Sequence, residues 1–413
     1  MIRQPSKSNT KAADCLIIGG GASGLAAACV AEGRGKSVLL LEARDRVGKK
    51  LLATGNGRCN LMNAGSPRYF GESAFAMEVL RHCPQEKVLA FFHGLGLNTV
   101  SEGELVYPAT LQAASVLETL RQPLEDSPLV TILTGAEAVE ISPRKDGFLV
   151  SAKSGASYAA KKVIAAAGGP AQPRLSGSDS LFPALLALGH RAAPMRPSLT
   201  ALVTGKSAVR GLKGLRLPAL CTLCGQNDQP VAATEGEVLF AEDGVSGVCV
   251  MQLSHETGRL LEEDKKPVLY LDFSPLLGLM PRRMRIAEPK SPGLRREAML
   301  RLLKERESLL GRENFLIGAL PRLLREKLAG LSLGETAEAL CAFRLPVEGL
   351  RGWDHAQVAA GGVLTQDVDP ATMQSRLIPG LYLTGELLNV DGDCGGHNLL
   401  FAWAGGILAG EHI

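Results

Sequence analysis

Residues 14–42 read DCLIIGGGASGLAAACVAEGRGKSVLLLE, and this stretch decides the fold. The apolar run 14–18 predicts a short buried strand, the Ala-rich stretch 22–31 predicts a helix, and 37–41 (SVLLL) predicts a second buried strand. A strand, a glycine turn, a helix and a strand form a βαβ unit, in which the right-handed crossover makes the two strands parallel. The fold class is therefore predicted to be α/β.

Three glycines in the turn have the spacing G-x-G-x-x-G directly after the first strand. Gly19 permits a tight turn, Gly21 leaves room for a pyrophosphate, and Gly24 lets the helix pack closely on the strand. The phosphates would lie on free N–H groups at the positive end of the helix. Glu42 ends the second strand, where its carboxylate can accept hydrogen bonds from the hydroxyls of an adenosine ribose. The stretch predicts dinucleotide binding.

The glycine motif alone does not choose between NAD and FAD, so later glycines carry the choice. Gly385 and Glu386 follow the predicted strand 381–384 (LYLT), where a carboxylate can reach a ribityl hydroxyl. Gly168 and Gly169 end another buried run, VIAAAGG, where the backbone can approach a cofactor. This arrangement favours FAD.

The order of the predicted elements indicates a parallel-sheet domain made from both ends of the chain. The predicted elements are helices at 75–97 and 111–122, strands at 130–141, 148–152, 157–160 and 162–169, short strands at 200–204, 219–223 and 237–240, helical sequence at 294–330, and a closing helix at 398–410. The predicted domains are a flexible tail at 1–13, an FAD-binding domain of 14–194 and 341–413, an inserted β domain at 195–280, and a helical segment of that insert at 281–340.

The composition is that of an ordinary globular protein of 413 residues, with 46% hydrophobic and 21% charged residues and a net charge of +3. These values exclude a disordered, collagen-like or coiled-coil chain and a protein that coats nucleic acid. The nine cysteines are scattered and odd in number, which favours a reducing compartment over a disulfide framework. The start is polar, and glycines interrupt the most apolar stretch, 15–30, so a cytoplasmic protein without a membrane partner is expected.

Two further features concern metals and RNA. Cys221 and Cys224 form C-x-x-C, but no second Cys or His pair stands at zinc spacing, so no metal site is predicted. Residues 281–330 hold 13 Lys or Arg against 6 Asp or Glu, a local charge of +7. This charge fits either a solvated face of amphipathic helices or a surface that contacts RNA.

Longer motifs carry a resemblance to a known family. Residues 42–63 read EARDRVGKKLLATGNGRCNLMN, residues 372–399 read TMQSRLIPGLYLTGELLNVDGDCGGHNL, and further matches lie at 236–254 and 356–363. The sequence resembles the bacterial YhiN/BaiN-type NAD(P)/FAD-dependent oxidoreductases, whose relatives are also called the aminoacetone oxidase family. The resemblance extends from about residue 14 to residue 410.

The resemblance implies a glutathione-reductase-like Rossmann domain for FAD, an inserted β-barrel-like domain and a helical segment, with the flavin ring where they meet. It also implies that the GKK and GRCN motifs line the flavin, that the CGGHNL loop closes over it, and that the last helix directs its N-terminus at the flavin. Together with the glycine motif, the predicted cofactor-binding residues are Gly19, Gly21, Ala22, Ser23, Gly24, Glu42, Ala43, Lys49, Lys50, Gly57, Arg58, Cys59, Asn60, Gly168, Gly169, Gly385, Glu386, Gly395, Gly396, Asn398 and Leu399.

The family reaction implied by the resemblance is reduction of a C=C bond next to a carbonyl, in oxidised bile acids or in a uracil of ribosomal RNA. Such a reaction needs a donor that holds the carbonyl oxygen and an acid that protonates the α-carbon. Arg58 or backbone N–H groups are candidates for the first role. His397 and Cys394 are candidates for the second, His397 because an unperturbed pKa of about 6.5 suits proton delivery near neutrality.

A second G-x-G-x-x-G is missing from the chain, so NAD(P)H is expected to be a transient electron donor. The expected partner is a small-molecule substrate or ribosomal RNA. Three alternatives remain open: a uracil reductase that forms dihydrouridine in ribosomal RNA, an amine oxidase, and a flavin-bound redox sensor without enzymatic activity. The sequence does not indicate the oligomeric state.

Overall fold

The structure is a computed structural model that describes residues 12–279 and 295–413. The chain divides into two compact units, one made of Met1–Met195 with Val358–Ile413 and the other of Arg196–Gln357. The predicted tail at 1–13 lies outside the described residues except for its last two. Residues 281–294 of the predicted helical segment also lie outside them.

The first unit combines helices with several small sheets around one large sheet. Its strands are β1 (Ala13–Ile18), β2 (Val38–Glu42), β3 (Met62–Asn63), β4 (Tyr69–Gly71), β5 (Thr99–Glu102), β6 (Leu105–Pro108), β7 (Val130–Thr134), β8 (Ala138–Arg144), β9 (Gly147–Ala152), β10 (Ser157–Ala165) and β11 (Ala192–Ser198), the last crossing the unit boundary. Its helices before the insert are α1 (Ala22–Gly33), α2 (Lys49–Ala53), α3 (Ser73–His82), α4 (Gln85–Gly94), α5 (Ala113–Asp126) and α6 (Phe182–Ala187).

The second unit contains β12 (Leu202–Val203), β13 (Arg216–Cys224), β14 (Pro230–Phe240), β15 (Gly244–Ser246), β16 (Val268–Asp272), β17 (Phe343–Pro346) and β18 (Gly349–Leu350). Its helices are α7 (Val248–Met251), α8 (Ser254–Glu262), α9 (Arg296–Leu310), α10 (Arg322–Lys327) and α11 (Leu333–Cys341). The chain then completes the first unit with β19 (Val358–Val363), β20 (Leu381–Leu383), β21 (Val390–Gly392) and α12 (His397–Glu411).

A seven-stranded sheet with the order β7-β2-β1-β10-β9-β8 forms the centre of the first unit, and β20 also pairs with β10. Strands β7, β2, β1, β10 and β20 are parallel, whereas β8 and β9 are antiparallel to their neighbours. The predicted βαβ unit is confirmed, because β1 and β2 are parallel neighbours joined through α1. Residues 15–18 of β1 are buried, as an apolar strand in the middle of a covered parallel sheet requires.

Four predicted segments need correction. Segments 157–160 and 162–169 are one strand, β10, which pairs with β9 along its first half and with β20 along its second. Segment 130–141 is two strands, because Gly135 turns the chain at φ +68° between β7 and β8. Segment 75–97 is two helices, because Pro84 precedes α4 and cannot continue the preceding helix.

Helix α12 packs directly on α1 through small residues. A side chain at Gly406 would stand 2.3 Å from the carbonyl oxygen of Ser23, and one at Gly410 would stand 2.7 Å from that of Ala27. Both glycines lie on one face of α12 because they are four residues apart. This close approach brings the C-terminal helix beside the helix of the glycine motif.

One seven-stranded antiparallel sheet with the order β17-β16-β13-β14-β15-β12-β18 forms the second unit. A buried apolar cluster of its own lies among this sheet and the neighbouring helices, including Leu223, Phe273, Met299 and Leu345. The insert is predicted to be β-barrel-like; in the described residues its ladders run in one open order from β17 to β18. The first unit resumes at Val358 and not at residue 341, because β17 and β18 still pair within the second sheet.

A helix that crosses a bilayer needs both sufficient length and sufficient mean hydropathy, which sets a test for the helices of residues 12–279 and 295–413. None of them combines the two properties.

Candidate functional site

The three glycines of the motif differ in what surrounds them. A Cβ atom on Gly19, which has φ +107°, would lie 2.4 Å from the carbonyl oxygen of Ala166 in the segment after β10. A Cβ atom on Gly24 would lie 1.9 Å from the carbonyl oxygen of Gly19. At Gly21 the added atom would meet nothing within 4 Å. Gly19 and Gly24 are therefore required by backbone packing, and Gly21 borders open space.

That open space lies at the N-terminus of α1. Gly21 is the N-cap residue, and no side chain caps the helix. The first-turn N–H groups, which include those of Ala22 and Ser23, carry the positive end of the helix dipole and suit an anion. The arrangement has the open space and the N–H donors that the pyrophosphate of a dinucleotide needs.

Glu42 is held rigidly beside this helix end. The side chain is buried, with Oε2 accepting from the Gly20 N–H at 2.8 Å and Oε1 accepting from the Arg44 N–H at 2.8 Å. Each carboxylate oxygen can accept a further hydrogen bond. Glu42 therefore has the acceptor capacity for ribose hydroxyls, whereas the exposed Ala43 beyond it offers only its backbone.

Arg44 is a residue that the sequence analysis missed. Its guanidinium donates to the carbonyl oxygens of Pro173 at 2.8 Å and Gly177 at 3.4 Å. Arg44 thus ties the loop after β10 to the end of β2. The two partners are backbone carbonyls about 130 residues away, so only the fold could reveal them.

Residues from four distant segments meet near the first turn of α1. A Cβ atom on Gly385 (φ +75°) would lie 2.6 Å from Ser23 Oγ, and one on Gly169 would lie 3.3 Å from Glu386 Oε1. Glu386 accepts from the Ala359 N–H at 3.0 Å and forms an ion pair with Lys50 at 2.6 Å. Gly168, at φ +75°, borders open space.

Lys49 does not join this group. Its ammonium forms an ion pair at 2.8 Å with Asp45, four residues earlier in the chain and before α2. This bond lowers the pKa of the exposed Asp45 carboxyl. Adjacent lysines on a short helix point in different directions, so Lys50 and Lys49 have separate partners. Of the predicted lysine pair, only Lys50 contacts another predicted site residue.

The GRCN motif forms a tight turn after α2. Gly57 has φ +83° and Cys59 has φ +53°, a left-handed conformation that few side chains adopt. Burial raises the pKa of the Cys59 thiol to about 11, so Cys59 is a neutral packing group. Asn60 is buried, and its Oδ1 has no hydrogen-bond partner among residues 12–279 and 295–413.

Arg58 has local partners for its charge. Its guanidinium lies 2.5 Å from a Glu102 carboxylate oxygen and 4.4 Å from the centre of the Tyr107 ring. An arginine held by a carboxylate and an aromatic face is less available to a substrate oxygen. The role of Arg58 in holding a substrate oxygen stays a prediction, and Glu102 would compete with the substrate for the guanidinium.

The CGGHNL loop packs on the segment that follows the GRCN turn. The Asn63 side-chain amide donates to the Gly395 carbonyl at 3.0 Å, and a Cβ atom on Gly396 would stand 2.6 Å from the carbonyl carbon of Met62. Gly396, at φ +98°, is the N-cap of α12, and no side chain caps this helix either. The two signature motifs therefore lie together, as the resemblance implies.

Asn398 has a structural task within this loop. Its Oδ1 accepts from the Gly392 N–H at 2.8 Å and its Nδ2 donates to the Gly392 carbonyl at 2.8 Å. The amide therefore closes the turn between β21 and α12. Only the backbone of Asn398 and of Leu399 remains for a cofactor at the first turn of α12.

His397 is the first residue of α12, one residue earlier than predicted for this helix. Its side chain is only 3% exposed, and Nδ1 has no partner in the described part of the chain. Burial lowers the pKa of His397, an effect that Asp393 and Glu104 oppose and Arg68 reinforces. The ring is therefore neutral at pH 7 and can donate an N–H hydrogen bond, which corrects the unperturbed pKa assumed for it.

Cys394 in the same loop is partly exposed. Burial, reinforced by the neighbouring Asp393, raises the pKa of its thiol to about 11. Cys394 therefore keeps its proton near neutral pH and remains available as a proton source, although a weak one.

The C-x-x-C motif does not form a pair. Cys221 lies on β13 with its Sγ 3.9 Å from Sγ of Cys249, and Cys224 lies three residues further along the same strand. Residues three apart on a strand face opposite sides of the sheet. Within residues 12–279 and 295–413, no group of three or more Cys, His, Asp or Glu side chains is placed to hold a metal ion.

The described part of the basic segment uses several of its charges internally. Arg295 pairs with Asp272 at 2.6 Å, and Arg296 pairs with Glu338 at 3.2 Å. Arg306 donates to the carbonyl oxygens of Phe315 and Ile317. These contacts are typical of amphipathic helices that pack on their own unit.

The model of the HI0933-like protein Rossmann domain matches residues 13–412. A 3-dehydro-bile acid delta(4,6)-reductase of Clostridium scindens is 37% identical over 96% of this chain and 97% of its own. A ribosomal RNA dihydrouridine synthase of Escherichia coli is 26% identical over 95% of each chain.

Solved structures that share the fold over nearly all of the chain include two 3-ketosteroid dehydrogenases. They are a 3-ketosteroid-delta4-(5alpha)-dehydrogenase from Rhodococcus jostii RHA1 (14% identity, 98% of this chain and 97% of that chain, TM-score 0.50) and a 3-ketosteroid delta1-dehydrogenase from Sterolibacterium denitrificans (13%, 98% and 99%, 0.50). These structures confirm the α/β fold with a Rossmann-type sheet. The family model and the 37% identical reductase confirm the enzyme class, an FAD-dependent oxidoreductase. The chain belongs to the family of the HI0933-like protein Rossmann domain.

Proposed function

We propose that this enzyme reduces a C=C bond conjugated to a carbonyl group, with FAD as its resident cofactor and NAD(P)H as the electron source. One observation carries the proposal: the uncapped N-terminus of α12 presents a buried, neutral His397 whose Nδ1 has no partner in the described residues. A helix end and an N–H donor that converge in a buried place stabilise developing negative charge on a nearby oxygen.

FAD would be held at two places. Gly21 and the first turn of α1 would bind the pyrophosphate, and Glu42 would accept from the adenosine ribose. Gly168 and Glu386 would face the ribityl chain. When bound, FAD supplies the two-electron hydride chemistry that none of the side chains can perform.

The side chains of the α12 loop would then act on the acceptor and its surroundings. The lowered pKa keeps the His397 imidazole neutral at pH 7, and its one N–H would donate a hydrogen bond to an oxygen on which charge develops. Cys394, protonated at neutral pH, would supply the proton for the α-carbon. Asn398 and Asn63 hold the loop that carries both groups.

The activities for which the two relatives are named support this substrate chemistry. A delta(4,6)-reductase of a 3-dehydro-bile acid and a dihydrouridine synthase both saturate a ring alkene that is conjugated to a carbonyl. The sequence identity to the bile acid enzyme, 37%, exceeds that to the dihydrouridine synthase, 26%, which favours a small cyclic enone as the substrate. The ion pairs of Arg295 and Arg296 favour it too, because paired arginines contribute less to phosphate binding.

NAD(P)H would bind transiently, because the chain has one G-x-G-x-x-G and not two. A donor without a dinucleotide domain of its own must leave before the acceptor enters the same face, which predicts ping-pong kinetics with parallel double-reciprocal lines.

The nine cysteines are free thiols in the structure, which supports a reducing, cytoplasmic location.

Anaerobic half-reactions test this proposal. The flavoprotein is reduced with NADPH or NADH, and then mixed with a 3-oxo-4,6-diene steroid or with a uridine-containing ribosomal RNA fragment. We expect the steroid to re-oxidise the flavin, with deuterium from labelled flavin appearing at the β-carbon. His397→Gln should slow this re-oxidation by about 10²-fold or more, while Arg301→Ser is the matched surface control.

Re-oxidation by the RNA and not by the steroid would favour the uracil reductase. In that case the affinity should fall with salt, with a log-log slope of roughly 0.7 to 0.9 per phosphate contact. Re-oxidation only by dioxygen, with an amine as the best donor and hydrogen peroxide as the product, would refute the reductase in favour of an amine oxidase.

A further inference from the structure

Tyr69 makes three contacts with the beginning of α12. Its hydroxyl donates to the carbonyl oxygen of His397 at 2.9 Å. Its ring lies edge-on to the His397 ring, with centroids 6.0 Å apart and an angle of 76°, and packs against Phe401 at 5.9 Å. One aromatic side chain therefore contacts both the backbone and the imidazole of the first residue of the helix.

Strand pairing holds Tyr69 in place. Tyr69 begins β4, which pairs with β21 in antiparallel register, so that Tyr69 stands opposite Gly392. Gly392 is also the residue that the Asn398 amide holds on both of its backbone groups. The strand, the turn and the helix start are thus connected through one glycine, and movement of Tyr69 would be transmitted to the loop of His397.

The imidazole of His397 depends on packing for its orientation, because Nδ1 has no hydrogen-bond partner in residues 12–279 and 295–413. Burial keeps the pKa of Tyr69 well above its usual value of 10, so its hydroxyl remains a donor at every physiological pH. The Tyr69 ring is an aromatic contact that limits rotation of the imidazole.

We propose that Tyr69 is a positioning residue that fixes the first turn of α12 and the ring of His397 in the orientation used for alkene reduction. This inference rests on the proposed function. No substrate or cofactor contact is assigned to Tyr69, which acts through His397.

Helix α12 supplies its own control. Tyr382 donates its hydroxyl to the carbonyl oxygen of His412, at the opposite end of the same helix, at 2.7 Å. Tyr69→Phe and Tyr382→Phe therefore remove the same kind of bond, a phenol to a backbone carbonyl, from the two ends of one helix. Tyr69→Leu additionally removes the ring that faces His397.

The experiment compares these three variants with the wild-type holoenzyme. For Tyr69→Phe we expect kcat for the alkene half-reaction to fall about three- to tenfold with KM unchanged, which corresponds to the loss of one hydrogen bond. For Tyr69→Leu, kcat should fall further, and for Tyr382→Phe, kcat should equal that of the wild type. All three variants should retain bound FAD.

Hydrogen exchange by mass spectrometry and the flavin absorbance spectrum provide readouts independent of turnover. Tyr69→Phe should speed exchange in peptides covering 393–402, and Tyr382→Phe should speed it only near 405–413. Tyr69→Phe should also shift the visible flavin band, which Tyr382→Phe should not. The conservative variant thus separates a positioning effect from a general loss of stability.

The outcomes distinguish the two proposals. If Tyr69→Phe lowers kcat no more than Tyr382→Phe does, or leaves exchange at 393–402 unchanged, the role of Tyr69 is refuted. If the wild-type protein reduces no enone and no uracil, the proposed function is refuted, and the exchange and absorbance data still decide whether Tyr69 orders the start of α12.

Discussion

Replacing Gly21 by Ala should separate cofactor binding from folding. Gly21 has φ −85° and ψ −167°, which Ala adopts without strain, and its added Cβ would meet no atom within 4 Å. Ala stabilises the protein by about 0.4–1 kcal/mol because it restricts the unfolded chain, and it destabilises by up to about 1 kcal/mol because it is a poorer N-cap than Gly. The two effects oppose each other, so the free energy of unfolding should change by less than about 1 kcal/mol. The methyl group would occupy the space proposed for the pyrophosphate, and Kd for FAD should rise at least about tenfold, or about 1.4 kcal/mol.

Gly24→Ala on the same helix should instead lower the free energy of unfolding. Its Cβ would stand 1.9 Å from the carbonyl oxygen of Gly19, and a backbone oxygen in a tight turn cannot move away cheaply. Such overpacking costs about 1–3 kcal/mol or more of the free energy of unfolding. Gly33→Ala is the matched control, because it ends the same helix and its Cβ would meet nothing within 4 Å.

Urea unfolding of the apoproteins, followed by circular dichroism, measures the free energy of unfolding. Titration with FAD, followed by the quenching of FAD fluorescence, measures Kd for FAD. If Gly21→Ala binds FAD as tightly as Gly33→Ala does, the pyrophosphate does not lie at the start of α1. If Gly24→Ala unfolds at the wild-type urea concentration, the argument from close backbone packing is wrong.

Three further predictions concern other parts of the site. Burial lowers the pKa of His397 in the folded protein. Below about pH 6.5 the unfolded chain therefore binds a proton that the folded chain does not, and the free energy of unfolding falls with pH from that point, whereas above it His397 causes no pH dependence. His397→Gln should therefore lose less stability than the wild type between pH 7 and pH 5 in urea unfolding, and identical losses would contradict this. Arg44→Ala should free the loop at 170–177 and speed FAD dissociation in a stopped-flow chase, whereas an unchanged rate would show that the loop does not retain FAD. Lys50→Met leaves the Glu386 carboxylate half-buried without its cation and should cost about 1–2 kcal/mol of the free energy of unfolding. The double change with Glu386→Gln should recover part of this cost, and simple additivity would mean that the pair is not coupled.

Local sequence was sufficient for the parts of the site that depend on backbone shape. Gly19, Gly24 and Glu42 lie where the motif predicts, because a strand, a tight turn and a helix leave one way for the chain to pass. The same holds for Gly396, whose close contact with Met62 admits no side chain. Gly24 and Glu42 contact neighbours that are close in sequence, Gly19 and Gly20. The atoms that crowd Gly19 and Gly396 belong to distant segments, at Ala166 and Met62, so for these two glycines the motifs indicate the residue but not its neighbour.

The missing parts depend on partners that are distant in sequence. Nothing near Arg58 in the chain indicates that Glu102 takes up its charge, and nothing near Arg44 indicates the carbonyls of the loop after β10. The neutral state of His397 follows from its burial, which a residue-type pKa cannot express. The resemblance correctly implies that the GRCN and CGGHNL loops lie together, but only the fold reveals that the Asn398 amide closes its own turn.

The division of the first unit between two distant segments has a consequence for the protein's synthesis. Residues 163–165 of β10 leave the ribosome about 200 residues before their partner strand β20. At about 5–20 residues per second, that interval lasts roughly 10–40 s. During this time the sheet has an unpaired inner edge, and Glu386 and the whole of α12 do not yet exist. The nascent chain therefore needs protection at that edge from pairing with other chains, and flavin can be loaded only after the inserted unit has been made.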